Sequence, residues 1–270
     1  MIASSFILLF LGGIATGTLG SLLGIGGGIF LVPFLTLVIG VPAKQAIATS
    51  IIAVIATSSA GASVNLKRNT VNVRLGFLLE SVTVLGAIGG SFTASLLSGE
   101  TLIKLFATLL LVVAILMIHK TRQKKSMDAP SSQGILHGQF TDEANGTVVS
   151  YAVHRIPAVM GVSFLAGNVS GLLGIGGGIF KVPAMHILGG VPMKIATATS
   201  NFTIGVTAAA SAFIYFSHGH VNPWIASSSA LGVLGGSLLG TVINRKIEST
   251  VLTWIFVVVL LFVSIQMYLK

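Results

Sequence analysis

Ten apolar stretches of membrane-spanning length follow one another along this chain of 270 residues. They cover residues 3–20, 22–40, 45–64, 75–97, 102–119, 156–172, 173–190, 195–217, 223–242 and 249–268. A helix needs about 20 mostly apolar residues to cross the hydrocarbon core of a bilayer. Only 8% of the residues are charged, whereas a soluble domain has about 25%. The sequence therefore predicts an all-α integral membrane protein with about ten transmembrane segments.

The basic residues predict how these segments are oriented. If the segments alternate in direction, eleven of the fifteen lysines and arginines fall in loops on one side, among them Lys67, Arg68 and Lys194. Cytoplasmic loops carry such an excess, so we expect the central loop in the cytoplasm and both termini outside. The same bias accounts for the net charge of +9, and no nucleic-acid partner is expected. Eight full segments, with the glycine-rich stretches re-entrant, are the alternative.

An internal duplication divides the chain. The sequence LLGIGGGIFLVP at residues 22–33 returns as LLGIGGGIFKVP at residues 172–183, 150 residues further on. The same offset relates GVP at residues 40–42 and ATS at residues 48–50 to identical triplets in the second half. We therefore predict a first repeat over residues 1–119, a linker over residues 120–155 and a second repeat over residues 156–270.

The two repeats are expected to be inverted. Each holds five predicted segments, an odd number, so tandem copies must cross the membrane in opposite directions. Loop charge agrees, because NLKRNTVNVR at residues 65–74 is basic whereas its equivalent, YFSHGHVNPW at residues 215–224, contains no lysine or arginine. Inverted repeats are typical of transporters and channels, which bind their substrate near the middle of the membrane where the repeats meet.

The linker contains a hairpin signal. Residues 137–142 and 147–155 flank Asn145-Gly146, a dipeptide that favours a tight turn between two strands. We predict a small cytoplasmic β-hairpin here, with a disordered linker as the alternative.

Three consecutive glycines in each repeat predict broken helices. Glycine costs about 1 kcal/mol relative to alanine in a helix, and Pro33 and Pro183 follow shortly after the glycines. Backbone freed from helical bonding in a membrane must line a cavity or be buried in protein. We therefore predict substrate-binding amides at Gly26, Gly27, Gly28, Gly176, Gly177 and Gly178. Close helix packing is the alternative, and we prefer it for the GxxxG pairs Gly13/Gly17, Gly20/Gly24, Gly86/Gly90 and Gly232/Gly236.

Small polar side chains near the start of two segments are further candidates. They are Thr49, Ser50, Thr199, Ser200 and Asn201, the last without an equivalent in the first repeat. Hydroxyl and amide groups donate hydrogen bonds to an oxyanion without carrying charge. Hydrogen bonds between helices are the alternative.

Three ionisable residues lie within predicted segments. Lys181 stands where the first repeat has Leu31; it either attracts an anion or reaches to the membrane surface. Glu80 either carries a coupled proton or pairs with a basic residue. His186 is a candidate for coupling, with simple packing as the alternative.

Several function classes have no support in the sequence. The chain has no cysteine, which excludes disulfides and thiolate metal sites. The acidic residues form no cluster, and the close spacing of His218 and His220 is weak as a metal signal. No catalytic Ser/His/Asp set is visible. We therefore expect no enzyme activity, no metal and no cofactor.

The paired motifs resemble a known family. The twin GIGGGIFxVP segments, each followed by VPxK and then ATS, resemble the sulfite exporter TauE/SafE family, and GAIGG and GVLGG at residues 86–90 and 232–236 fit it as well. This resemblance spans both repeats. It implies a bacterial or archaeal inner-membrane permease for sulfur oxyanions and organosulfonates such as sulfite or sulfoacetate.

These observations together predict a secondary transporter. It would export small sulfur-containing anions by alternating access, with the anion bound where the repeats meet. An anion channel and a non-transporting membrane assembly factor are the alternatives. A single chain contains both repeats, and the GxxxG faces are compatible with a homodimer.

Overall fold

Helices make up most of the computed structural model, which describes residues 2–22, 27–121, 136–142, 147–243 and 249–269. Within these ranges the helices are α1 (Ile2–Leu22), α2 (Gly28–Pro33), α3 (Ala43–Lys67), α4 (Val73–Leu96), α5 (Gly99–Thr121), α6 (Ile156–Leu173), α7 (Gly178–Pro183), α8 (Met193–Ser217), α9 (Pro223–Ile243) and α10 (Ser249–Leu269). The predicted helical class is confirmed.

Apolar helices and apolar surface agree with a membrane protein. Among the described residues, α3, α4 and α6 are long and apolar enough to cross a bilayer, and shorter apolar runs lie in α1, α2, α7 and α10. Large apolar side chains face outwards, including Phe77, Phe213 and Phe262, which are 62%, 75% and 62% exposed. A water-soluble monomer rarely exposes contiguous apolar surface of this kind, so these side chains fit contact with lipid.

The glycine-rich segments are shorter than the spans predicted at residues 22–40 and 173–190. Helices α2 and α7 have six residues each and continue, directly after Pro33 and Pro183, as the π-helical segments Phe34–Ile39 and Ala184–Leu188. At about 1.5 Å per residue, each continuous run covers roughly half of a 30 Å hydrocarbon core.

The predicted hairpin is confirmed. Strand β1 (His137–Asp142) pairs antiparallel with β2 (Thr147–Ala152). Asn145 and Gly146, on which the prediction depended, lie outside the described residues. Strand β2 ends at Ala152, opposite the first residue of β1, and so stops before the predicted limit at Arg155, which has a left-handed backbone (φ 47°) and precedes α6.

Glycine faces join helices of different repeats. Helix α1 packs against α9, and α4 packs against α6. A Cβ atom on Gly17, Gly86 or Gly232 would overlap a backbone oxygen of the neighbouring helix, so these glycines permit backbone contact. The predicted packing role is therefore confirmed at these glycines; Gly24 lies outside the described residues.

The contacts divide most of the helices into two groups. The first body contains α1, α2, α3 and α9, and the second body contains α4, α6, α7 and α8. Each body thus combines three helices of one repeat with the fourth long segment of the other. The two bodies meet chiefly where α3 packs on α8, and α5 packs on α10 beside them.

Helices α3 and α8, which are equivalent in the duplication, run antiparallel. The Ser58 hydroxyl donates to the Asn201 carbonyl oxygen at 2.6 Å near their middle. The last residues of α3 share a cavity with the first residues of α8. The hairpin docks at this same end, where Asn72 Nδ2 donates to the Tyr151 hydroxyl at 3.0 Å. We call this the hairpin end and the opposite one the far end.

Candidate functional site

A cavity of about 350 Å³ opens between α3 and α8 at the hairpin end. Its lining consists of two cations, four polar side chains with amide or hydroxyl groups, and two apolar residues. These are Arg68 and Lys194, then Asn65, Thr70, Thr197 and Asn201, and finally Met193 and Ala198. No carboxylate belongs to this lining. The cavity therefore presents positive charge and hydrogen-bond donors in one place.

The turn after α3 positions Arg68. The Asn65 carbonyl oxygen accepts from the Thr70 amide at 3.2 Å and from the Thr70 hydroxyl at 3.1 Å. Asn69 within the turn has a left-handed backbone (φ 52°), which asparagine tolerates better than most residues. This closed turn holds the guanidinium-bearing residue at the mouth of the cavity.

The chemistry of this lining suits a small anion. A guanidinium offers a planar fork of donors that matches carboxylate and phosphate groups, and the oxygens of a sulfonate or sulfite present comparable acceptors. Hydrogen bonds from ionised donors are roughly twice as strong as neutral ones. Of the residues predicted from the sequence as substrate-binding, Asn201 lies directly in this cavity.

Ser50 brings the two glycine motifs together. Its hydroxyl lies 2.7 Å from the Gly174 carbonyl oxygen and 3.1 Å from the Gly28 carbonyl oxygen. Gly178 lies next to Ser200, because a Cβ atom added to it would be 3.4 Å from the Ser200 hydroxyl. The motifs of both repeats therefore meet where the two bodies touch.

The helix break is confirmed at the second motif. Gly174, Gly176 and Gly177 have φ values of +74°, +80° and +71°, a left-handed conformation that glycine adopts without the steric cost of a Cβ atom. In the first motif Gly27 is right-handed, with φ −69°. Gly26 lies outside the described residues.

The predicted hydroxyls divide into two kinds. Thr199 Oγ1 accepts from the Asn72 amide at 2.9 Å, so it satisfies a backbone group, as Ser50 does. The hydroxyls of Thr49 and Ser200 belong to residues only 1% exposed and have no hydrogen-bond partner among the described residues. Buried polar atoms usually have a hydrogen-bond partner, so the hydroxyls of Thr49 and Ser200 are exceptions.

Lys181 pairs with Glu80. Lys181 is 1% exposed, and its ammonium lies 2.7 Å from Glu80 Oε2 and 2.7 Å from Thr203 Oγ1. The other Glu80 oxygen accepts from the Thr207 hydroxyl. The expectation that Lys181 reaches the membrane surface is therefore wrong, because its charge is neutralised inside the protein. The alternative that Glu80 pairs with a basic residue is confirmed.

The predicted residue His186 has a local partner, as have Asn72 and Tyr151, which were not predicted. His186 is half-buried, with Nδ1 2.9 Å from the Val191 carbonyl oxygen. Asn72 caps α4 through Oδ1, which accepts from the Leu75 amide at 3.0 Å. Its contact with Tyr151 ties the hairpin to α4. Burial raises the pKa of the Tyr151 phenol, and the hydrogen bond from Asn72 opposes that rise.

Sequence reasoning missed most of the cavity. Arg68 and Lys194 were used only to predict orientation. The available signal was the lysine shared by both repeats, Lys44 and Lys194, together with the basic loop at residues 65–74.

Comparison with known proteins gives a consistent family. The profile of the family described as Sulfite exporter TauE/SafE matches residues 9–267. The chain is 30% identical to "Probable membrane transporter protein YunE" of Bacillus subtilis, over 97% of each chain. It is 30% identical to a "Probable membrane transporter protein" of Xylella fastidiosa, over 88% of this chain and 84% of the relative.

A more distant match is a plant protein. The chain is 30% identical to "Sulfite exporter TauE/SafE family protein 5" of Arabidopsis thaliana, over 54% of this chain and 30% of the relative. No solved structure matches significantly. The family profile covers nearly the whole chain, and with it the glycine motifs and the cavity between α3 and α8. The protein therefore belongs to the sulfite exporter TauE/SafE family of membrane proteins.

Proposed function

We propose that this protein is a secondary transporter that exports small sulfur-containing anions, such as sulfite or organosulfonates, across the cell inner membrane. The observation that carries the proposal is the cavity between α3 and α8, where Arg68 and Lys194 line the same space as the amide and hydroxyl groups of Asn65, Asn201 and Thr197. Relatives that match over nearly their full length are named as probable membrane transporters.

The proposed topology has two five-segment repeats, residues 1–119 and 156–270, that cross the membrane in opposite directions. The antiparallel packing of α3 and α8 supports it, because equivalent helices of inverted repeats must point in opposite directions. The hairpin end carries Lys67, Arg68 and Lys194, and we assign it to the cytoplasm by the positive-inside rule. The linker is then cytoplasmic and both termini lie outside.

Alternating access follows from the two bodies. Each body is tied together by backbone contact at glycines, whereas the bodies touch each other along α3 and α8. Rocking of one body on the other would close the cavity at the hairpin end and open its equivalent at the far end. The Ser50 hydrogen bond to Gly174 joins the first body to the second, so it would have to be exchanged during the cycle.

The proposed path starts at Arg68, Lys194 and Asn201 and continues between the bodies. Its deeper part consists of the glycine segments 26–28 and 176–178 together with Thr49, Ser50, Thr199 and Ser200. The unpartnered Ser200 hydroxyl beside Gly178 supports this assignment, because it has a donor to spare for an anion. Several weak donors also favour release, which transport needs as much as binding.

Lys181 and Glu80 form the proposed coupling element. The Lys181 ammonium is available to an anion only when its ion pair with the Glu80 carboxylate is broken. Protonation of Glu80 would break this pair. The 2.7 Å ion pair supports this assignment. His186 is a second coupling candidate, and its Nδ1 lies 2.9 Å from the carbonyl oxygen of Val191, just before α8 begins. Glu80→Gln, which imitates the protonated state, is expected to remove the pH dependence of sulfoacetate binding that Glu80 causes.

The test is flux in liposomes that contain the purified protein. We expect saturable sulfite transport, and Arg68→Ala combined with Lys194→Ala should raise the half-saturating concentration about tenfold or more. Lys67→Ala is the matched control, since Lys67 is exposed beside Arg68 and lies outside the cavity lining. Unchanged transport in the double variant would overturn the assigned site. Non-saturating, voltage-driven flux would identify a channel instead.

A further inference from the structure

The far end carries residues equivalent to three that line the cavity at the hairpin end. The 150-residue offset relates Lys194 to Lys44, Arg68 to His218 and Thr70 to His220. Two permanent cations and one hydroxyl group at the hairpin end therefore correspond to one permanent cation and two imidazole rings at the far end. The proposed function so far uses none of these three far-end residues.

The turn that follows α8 repeats the turn that follows α3. The His220 backbone amide donates to the Tyr215 carbonyl oxygen at 3.0 Å. In the same way, the Thr70 backbone amide donates to the Asn65 backbone carbonyl oxygen at 3.2 Å. Gly219 is left-handed at φ 69°, as its equivalent Asn69 is. The histidines consequently occupy the same positions on the backbone that Arg68 and Thr70 occupy at the other end.

The far-end side chains lie close together. The rings of His218 and His220 stack with centroids 6.2 Å apart, and His220 lies 6.3 Å from the Tyr215 ring. The Lys44 ammonium is held by the Ser95 carbonyl oxygen at 2.7 Å. Partial burial lowers the pKa of His220, and the charges of Lys44 and His218 lower it further. Lys44 near the start of α3 and the histidines just after α8 lie at the same end of the antiparallel α3–α8 pair.

Other charged groups at this end do not cancel this positive field. Helix α5 begins beside Ala43, and its Glu100 carboxylate is paired with Lys104 at 2.5 Å. Among the described residues, Lys44 from α3 and Tyr215 and His218 from α8 and its turn are the titratable groups that act on His220.

We propose that Lys44, His218 and His220 form a second binding site for the transported anion, at the far end of the α3–α8 interface, which strengthens as His220 takes up a proton. This inference rests on the proposed function. At neutral pH the site carries one permanent cation, so an anion arriving there is held more weakly than at Arg68 and Lys194. The difference favours release at the far end, and acidification of that side reduces it.

The experiment compares sulfoacetate binding at pH 5.5 and pH 7.5 by isothermal titration of the full-length purified protein. Each comparison is repeated with Glu80→Gln present, which removes the pH dependence proposed for Glu80. Sulfoacetate suits this range because its sulfonate stays ionised and its carboxyl group titrates near pH 4, as aspartate does. One added charge about 4 Å from the anion in water-like surroundings strengthens binding by about fivefold. We therefore expect about fivefold tighter binding at pH 5.5.

Exchange of residues between the two ends makes the test specific. His218→Arg with His220→Thr places the hairpin-end residues at the far end, and it should keep binding at pH 7.5 while removing the acid enhancement. His218→Ala with His220→Ala should also remove the enhancement but leave the hairpin-end cavity intact. Melting temperatures close to that of the unmodified protein would verify folding, which we expect because the turn is at the surface.

The outcomes separate this inference from the proposed function. Acid enhancement that persists in both histidine variants when Glu80→Gln is also present overturns the far-end site and leaves the transporter proposal standing. No sulfoacetate binding by the unmodified protein at either pH overturns both. Loss of the enhancement in both variants, with binding at pH 7.5 preserved, supports the far-end site.

Discussion

The Lys181 ammonium lies 2.7 Å from Oε2 of Glu80, and both side chains are almost completely buried. Removing one partner of a buried ion pair leaves an uncompensated charge, which destabilises a protein by about 3–5 kcal/mol. We therefore predict that Lys181→Leu lowers the free energy of unfolding by about this amount. Thermal unfolding in detergent would measure the loss.

The other repeat supplies the control for this prediction. The positions equivalent to Lys181 and Glu80 hold Leu31 and Ala230, so the shared fold accepts an apolar pair there. Lys181→Leu combined with Glu80→Ala should therefore recover most of the stability that the single variant loses. A double variant as unstable as Lys181→Leu alone would show that packing, and not charge, causes the loss.

The second prediction concerns the glycine face between α4 and α6. A Cβ atom at Gly90 would overlap the backbone carbonyl oxygen of Asn168. A Cβ atom at Gly89 would lie 3.7 Å from the side-chain nitrogen Nδ2 of Asn168, which is an ordinary contact. Gly90→Ala must push the two backbones apart, and overpacking of this kind costs about 1–3 kcal/mol. Gly89→Ala should leave the melting temperature unchanged or raise it, because alanine favours a helix. Equal melting temperatures for the two variants would contradict this packing.

Local sequence patterns predicted the hairpin and the broken helix. Contacts between distant segments decided the burial of Lys181 and the position of the cavity. Asn145-Gly146 predicts a hairpin and three glycines predict a broken helix, since each signal acts over a few residues. The choice between surface and buried positions for Lys181 depends on its ion pair with Glu80 of α4, a contact between distant segments that no short pattern encodes. Likewise, Arg68 and Lys194 share a cavity only because α3 and α8 run antiparallel.

The third prediction separates structural from spare hydroxyls. Ser50 donates to backbone oxygens of both motifs, whereas the Ser200 hydroxyl has no partner among the described residues. Ser50→Ala removes the hydroxyl donor from the buried carbonyl oxygens of Gly28 and Gly174 and should cost about 1–3 kcal/mol of stability. Ser200→Ala should keep its stability within about 0.5 kcal/mol and weaken sulfoacetate binding. If instead Ser200→Ala unfolds at a lower temperature with unchanged affinity, Ser200 is a packing residue.

The fourth prediction concerns how the hairpin docks. The Tyr151 hydroxyl accepts from Asn72 at 3.0 Å, and burial raises the pKa of its phenol above the ordinary value of 10.0. A group whose pKa is raised in the folded state contributes stability below its unfolded pKa and loses it as pH rises through the folded value. Docking should therefore hold up to about pH 10 and weaken above it. Hydrogen exchange of β2 amides, measured on either side of that pH and corrected for the intrinsic rate, would detect the weakening.

Tyr151→Phe provides the contrast for this pH dependence. The variant keeps the ring that packs with Leu75, Leu79 and Met185 but has no phenol to ionise and cannot accept from Asn72. Protection of β2 should be lower at neutral pH by the equivalent of about 0.5–1.5 kcal/mol, the net value of one hydrogen bond. It should then change little at alkaline pH. The same alkaline loss in both proteins would mean that another group controls docking, because phenylalanine cannot titrate.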